Sequence, residues 1–382
     1  MSAWTIAAGD FTQLGGMDAA NYALAKYLAR TAGPDGVPYE VHLVGHRVAG
    51  DLAALPRVRV HHVPRPLGMH RLGEPLLRRT AAAVQARLAG RDLRAVANGG
   101  NADCGDINWV HYVHAAFTPD AAGAFNRWRV SSNHRRHLAD ERRVLARARV
   151  VICNSERTAA DVAGAGVPRD RTRVIYYGVD AARFRAVDAE ERLASRHALG
   201  LPERRRLALF VGARGDRRKG FDVLYEAWRA LCARSDWDVD LVVAGLGAEL
   251  PAWQRRTARD FAPGRVRFLG FRRDIPAVLA ACDLLVHPAR YEAYGLAVHE
   301  ALCRGVPAIV SAAAGVAERY PADLGGLLVH DPSSAREVAD RLLSWRADDG
   351  IVARVASFAS RLRARSWDHM ARDIVACGGD RA

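Results

Sequence analysis

The sequence predicts an α/β protein made of two doubly wound halves, and three observations carry that reading. At 382 residues the chain exceeds one ordinary core and suits two domains of roughly 150 to 200 residues. Short β-branched apolar runs alternate with helical patterns almost throughout, and strands apolar on both faces that alternate with helices form a parallel sheet covered on both sides. The alternation lapses once, over the polar, turn-rich stretch 178–206, before a fresh strand begins, which marks a join between the halves.

In chain order, the first half offers strands near 4–9, 39–46, 58–64, 94–98, 107–113, 149–154 and 172–178. The second offers strands at 206–213, 239–247, 265–271, 282–288, 306–312 and 325–330, separated by helical stretches at 220–234, 249–260, 274–281 and 295–304, with another at 334–347. The tail 361–375 reads as one further helix, free to pack back on the first half. The expected domains are residues 1–182, joined by a C-terminal helix from about 363 to 382, and residues 183–362. In such sheets ligands bind beyond the carboxyl ends of the strands, and two of them facing each other would form a cleft.

Half the residues are apolar and 26% are charged, a globular composition. No run of ~18 apolar residues occurs, and "MSAWTIAAGDFTQ" lacks the basic-then-apolar pattern of a leader. The expectation is a cytoplasmic protein, at most in peripheral contact with the inner face of a membrane. Cysteines at 104, 153, 232, 282, 303 and 377 form no C-x-x-C pair, so neither a zinc ribbon nor a disulfide framework is suggested. The net charge of +14 suits an anionic partner, whether nucleic acid, anionic membrane or phosphorylated ligand. An arginine-rich surface with no partner would give the same number.

Residues 210–224, "FVGARGDRRKGFDVL", read as a strand, a glycine-bearing loop with four basic residues, and a helix. Helix-end N–H groups together with Arg218 and Lys219 suit a diphosphate. A nucleotide-hydrolysing P-loop would need G-K-[ST], but Gly220 and Phe221 follow Lys219. The "GLG" at 245–247 lacks the third glycine of a dinucleotide fingerprint, position 250 being Leu. In "RYEAYGLAVHEALCRGVPAIVS" (290–311), Glu292 lies in a loop at a strand's carboxyl end and Gly295 opens a helix. Glu300 follows five residues into that helix, roughly 7.5 Å along the axis. The two carboxylates could reach opposite ends of one extended ligand, with an anion between them on the N–H groups of Gly295 and Leu296. By itself the pair is better described as an acidic helix start and a surface residue.

These motifs, in this order, resemble family 4 retaining glycosyltransferases of the GT-B fold, two Rossmann-like domains facing across a cleft. The E-x7-E signature falls on Glu292 and Glu300 and continues as "EALCRGVP"; upstream matches are the glycines at 15–16, "YVH" (112–114), "VVICNSERTAADV" (150–162) and "VIYYGVDAARF" (174–184). The resemblance covers nearly the whole chain. It implies retaining transfer of a sugar from a UDP- or GDP-sugar to an acceptor hydroxyl of a glycan, glycolipid or natural product, with no cofactor and no protein-bound metal. It further implies that Arg218 and Lys219 bind the donor diphosphate, with Arg214 competing for the arginine's place. Glu292 would stand beside the donor sugar, Glu300 would hold the ribose hydroxyls, and Gly295 and Leu296 would give backbone contacts to sugar and β-phosphate. Gly15 and Gly16 would close over the phosphates, and His114 would lie near the reacting sugar. No nucleophile is implied: the route favoured for this family has the departing phosphate help deprotonate the acceptor on the same face.

The chain departs from the family pattern at Ala289, where serine is usual, at Ala293, where glycine is common, and at His299, where an aliphatic residue is usual. Two other features stand out. His111 with His114, and His134 with His137, are spaced as metal ligands could be, but an odd separation puts the first pair on opposite faces of a strand. Between 127 and 149 eight arginines stand against Asp140 and Glu141, a patch suited to an anionic or lipid-linked acceptor, to nucleic acid, or to solvent alone. The alternatives to an enzyme are a nucleotide-sugar sensor without turnover and, less favoured without interleaved aromatics, a nucleic-acid-binding protein.

Overall fold

The computed structural model describes residues 2–33, 36–103, 105–119, 124–212 and 217–379. The chain forms two compact units. The first comprises Met1–Thr118, Ser132–Gly178 and Arg365–Ala382; the second comprises Pro119–Ser131 and Val179–Ala364.

In chain order the first stretch contains β1 (Ala3–Ala7), β2 (Asp10–Phe11), α1 (Gly16–Arg30), β3 (Glu40–Gly45), β4 (Arg47–Val48), α2 (Gly50–Ala53), β5 (Val58–His62), α3 (His70–Arg87), β6 (Leu93–Asn98), β7 (Ile107–Val110), α4 (Ala124–Arg147), β8 (Val150–Cys153), α5 (Glu156–Gly164) and β9 (Thr172–Val174). There follow α6 (Ala189–Ala198), β10 (Arg206–Val211), α7 (Phe221–Cys232), β11 (Val239–Ala244), α8 (Leu250–Asp260), β12 (Val266–Gly270), α9 (Ile275–Ala281), β13 (Leu284–His287), α10 (Leu296–Cys303), β14 (Ala308–Ser311), β15 (Leu328–Val329), α11 (Ala335–Ala347), α12 (Ile351–Arg363) and α13 (Trp367–Gly379).

The main sheet of the first unit runs β5-β3-β1-β6-β7-β8-β9 and that of the second β12-β11-β10-β13-β14-β15, with every pairing parallel. Each sheet grows outward from its first strand in both directions, the doubly wound order whose reversal point lies between the first and fourth main strands. Strands such as β1 and β11 are buried along their whole length, which is why they read as unbroken apolar runs rather than alternating ones. The helices cover them by an apolar stripe: in α7, Phe221, Leu224, Tyr225, Trp228 and Leu231 are buried at spacings of three and four. The one charge inside β11, Asp240, is paired with Arg205 at 2.8 Å and Arg265 at 3.0 Å.

The structure divides the tail that reads as a single helix. The α12 helix ends at Arg363 and α13 starts at Trp367, because Ser366 caps the new helix. Its Oγ accepts from the His369 N–H at 3.3 Å while His369 Nδ1 accepts from the Ser366 N–H at 3.1 Å, a reciprocal cap. Within the first unit α13 packs on α1 and is anchored by Arg94 Nε on the Gly378 carbonyl at 2.6 Å and Arg365 Nε on the Tyr176 carbonyl at 3.0 Å. The two-residue pair β2 and β4 is too short to show in any periodicity.

Candidate functional site

In the second unit the loops after β10 and β13 flank the reversal point of the sheet, where a doubly wound fold opens a crevice at its carboxyl edge. The loop after β10 carries Arg218 and Lys219; the loop after β13 carries Glu292 and turns into α10 at Gly295. Chain topology therefore brings together residues that are 73 apart in sequence.

The two loops are stitched by direct contacts. Arg218 Nη1 donates to the Tyr291 carbonyl at 3.3 Å, and the Arg290 N–H to the Arg218 carbonyl at 2.8 Å. Gly220 is left-handed at φ +72 and caps α7, and a Cβ there would lie 1.9 Å from the Pro288 carbonyl oxygen, so only glycine allows this approach. Gly295 is likewise left-handed at φ +104 and leaves the start of α10 without a side-chain cap. Its turn is braced by the Gly315 N–H on the Glu292 carbonyl at 3.1 Å and the Val316 N–H on the Tyr294 carbonyl at 2.7 Å.

Glu292 Oε2 receives both the Lys219 ammonium and His287 Nε2, the latter at 2.9 Å. Burial would raise the Glu292 carboxyl pKa, but Lys219, the His287 hydrogen bond and Arg218 outweigh it and hold the group far below the usual carboxylate range. His287 is itself buried, 1% exposed, and desolvation keeps its imidazole neutral despite the neighbouring carboxylate. With Nε2 as donor, the ring fixes the same oxygen of Glu292 that Lys219 holds. His287 is a site residue that sequence reasoning missed: it reads as the last residue of an apolar strand.

Glu300 sits one turn into α10. Desolvation pushes its carboxyl up to about 8, opposed by Arg183. At neutral pH the group is therefore mostly protonated. Its neighbour His299, unexplained by the sequence, is fully buried and hydrogen-bonds the Tyr294 hydroxyl at 2.7 Å, which also accepts from Arg319 at 3.3 Å. It locks the first turn of α10 to the Gly295 turn and faces the core. Leu296 opens α10, and Ala289 and Ala293 are buried. Arg214 lies outside the described residues.

The remaining expected residues belong to the first unit. Gly15, at φ +90, precedes α1 without a side-chain cap, and Gly16 is that helix's first residue. His114 stacks on His137 at 4.7 Å with the rings 12° apart and lies 6.5 Å from His134. Burial, then the two neighbouring imidazoles, lower its pKa to about 4. His111 turns elsewhere, bonding Asn98 at 2.7 Å and the Tyr177 hydroxyl. Among the described residues no group of three His, Cys, Asp or Glu side chains could hold a metal ion. Several arginines of α4 and its end meet acids from elsewhere in the first unit: Arg136 pairs with Glu74 at 2.8 Å, Arg143 with Asp103 at 3.4 Å and Arg149 with Asp106 at 2.8 Å. That patch is less basic than the local sequence makes it.

Two family models match, "Glycosyltransferase Family 4" over residues 14–183 and "Glycosyl transferases group 1" over residues 191–362. The chain is 29% identical over 289 residues to a D-inositol 3-phosphate glycosyltransferase of Corynebacterium urealyticum, covering 72% of this chain and 66% of that protein. The chain spans about half to two thirds of the length of the first curated relatives it matches. Among solved structures, Anabaena Alr3699/HepE in complex with UDP-glucose superposes with a TM-score of 0.70 at 22% identity over 98% of each chain. WaaG, a glycosyltransferase involved in lipopolysaccharide biosynthesis, does so with a TM-score of 0.73 at 20% identity over 100% of each. The fold is therefore that of GT-B glycosyltransferases.

Proposed function

We propose, for a chain that belongs to glycosyltransferase family 4, that it is a retaining enzyme transferring a sugar from a nucleoside-diphosphate sugar to an acceptor hydroxyl. The observation that carries this reading is the Lys219–Glu292–His287 clasp beside Arg218, at the reversal point of a parallel sheet.

The leaving group of such a reaction is a diphosphate, so negative charge grows on it as the glycosidic bond breaks. Arg218, Lys219 and the N–H groups at the starts of α7 and α10 suit that charge, and preorganised donors of this kind are worth a few kcal/mol each in a transition state. Glu292, held ionised, offers its second oxygen to donor-sugar hydroxyls, fixing the ring for attack. Glu300 suits the ribose hydroxyls, whose donation would draw it back to its ionised form. The carboxyl group nearest the sugar already shares an oxygen with an ammonium and an imidazole, which suits hydrogen bonding better than nucleophilic attack. A same-face route, with the departing phosphate taking the acceptor proton, fits that arrangement. In the first unit, the uncapped start of α1 at Gly15 and Gly16 suits phosphate, and the neutral imidazole of His114 suits a sugar hydroxyl.

The UDP-glucose complex of a structural neighbour supports a UDP-sugar donor, with a GDP-sugar as the alternative, and the inositol 3-phosphate in a relative's name and the lipopolysaccharide in a neighbour's support an anionic or lipid-linked acceptor. A net charge of +14 agrees with such an acceptor. No helix among the described residues is long and apolar enough to cross a membrane. Thermal-shift titration with UDP- and GDP-sugars tests the reading: the true donor raises the melting temperature by linkage, and no response to any of them overturns it. Proton NMR of the product then reports the anomeric configuration, and turnover after chelator treatment reports whether a metal is needed.

A further inference from the structure

We propose that Arg290 is a positioning residue for the phosphate-binding loop, setting Arg218 and Lys219 against a donor diphosphate while touching no substrate itself; this rests on the donor reading above. Arg217, next to Arg218, adopts φ +53, the left-handed region that a side chain disfavours. Such a conformation persists where its surroundings over-determine it. Arg290 does so. Its Nη1 donates to the Arg217 carbonyl at 2.5 Å, and its backbone N–H to the Arg218 carbonyl at 2.8 Å.

The guanidinium is fixed in turn. It forks onto Asp222 at 2.9 and 2.8 Å, and its Nε reaches Ser333 Oγ at 3.3 Å. Asp222 lies in the first turn of α7, where a carboxylate is favoured by the helix dipole. One side chain therefore ties the strained residue before the basic pair to the helix that begins just after it. Two residues further along the same loop, Glu292 grips Lys219. A planar fork is what this geometry needs; lysine would keep the charge but could not make both ends of the tie.

A loop that is set by Arg290 loses diphosphate recognition when Arg290 is lost, with little change toward the nucleoside. Isothermal titration of the full chain with UDP, UMP, GDP and GMP measures this. The expected result for Arg290→Ala is a diphosphate-to-monophosphate affinity ratio reduced ~10-fold or more, with monophosphate affinity within ~2-fold of wild type. Arg290→Lys should fall between, and Asp222→Asn, which frees the fork but keeps the arginine, should shift the ratio the same way by less. Parallel loss of both affinities, as general destabilisation would give, or an unchanged ratio overturns the inference alone. A wild-type protein that binds neither UDP nor GDP overturns both it and the donor reading.

Discussion

Gly220 and the carbonyl oxygen of Pro288 approach so closely that a Cβ on the glycine would sit 1.9 Å from the oxygen. The basic loop can lie against the acidic turn only because position 220 has no side chain, and its φ of +72 adds a second demand for glycine. Gly220→Ala is expected to destabilise the protein by at least about 2 kcal/mol, read from the denaturant midpoint, and to weaken nucleoside diphosphate binding in parallel. A variant as stable as wild type would mean that the two loops separate without cost.

Lys219 and Glu292 form a largely buried ion pair, their side chains 19% and 13% exposed. Lys219→Met would strand the carboxylate, and breaking one side of such a pair costs roughly 3–5 kcal/mol. Adding Glu292→Gln removes the stranded charge, so the double variant should regain at least half of that loss in a double-mutant cycle. Both variants should lack measurable turnover. A double variant less stable than Lys219→Met alone would show that the pair is held by something other than charge.

Glu300 makes stability depend on pH in a defined direction. Its carboxyl is raised from an ordinary value of 4.5 to about 8, so the folded chain binds more protons than the unfolded chain between those values. The stabilisation is complete below pH 4.5 and is lost as pH rises toward 8, with a slope of at most ~1.4 kcal/mol per pH unit. Denaturation at pH 5, 6, 7 and 8 should show that slope in wild type and its removal in Glu300→Gln. Because ribose hydroxyls donate to the ionised form, nucleotide binding at pH 7 should release protons. Calorimetry in two buffers of different ionisation enthalpy reads that release.

His287 fixes one oxygen of Glu292 from inside the sheet. His287→Leu should leave nucleoside diphosphate affinity within ~2-fold while lowering kcat ~10- to 100-fold, the usual scale for removing a group that orients a functional side chain. His287→Gln, whose amide can still donate, should recover part of kcat. A variant that raises KM with kcat unchanged would assign His287 to binding rather than orientation.

Most of the architecture was legible because fully buried parallel strands write themselves as unbroken apolar runs, as "LALFV" in β10 and "VDLVVA" in β11 do. The acidic and basic motifs were legible for a different reason: taken singly they also describe a solvated basic loop and an acidic helix start, and it is their order along the chain that resembles a known family. Partnerships were not. Nothing in "CDLLVHP" says that its histidine meets a glutamate five residues on, because that contact exists only once the chain doubles back over Pro288. Arg290 reads as one loop arginine among many, and its worth depends on Asp222 standing opposite, 68 residues earlier. Glu300 was legible as a position but not as a raised pKa, which depends on packing around α10. The break at Ser366 was hidden by helix-compatible residues on both sides of a local cap.

The return of the chain from the second unit to α13 has a consequence for biosynthesis. A Cβ on Gly178 would lie 2.1 Å from the Ser366 carbonyl oxygen, so the end of the first unit's sheet region is shaped to receive a segment made nearly 190 residues later. While the ribosome is still translating the second unit, the first lacks the helix that covers α1 and anchors Arg94. The second unit, an unbroken run from Val179 to Ala364 joined by the earlier segment Pro119–Ser131, can complete itself first. Synthesis is therefore expected to finish in reverse spatial order, with the N-terminal unit the last to close and the one exposed to nascent-chain chaperones for longest.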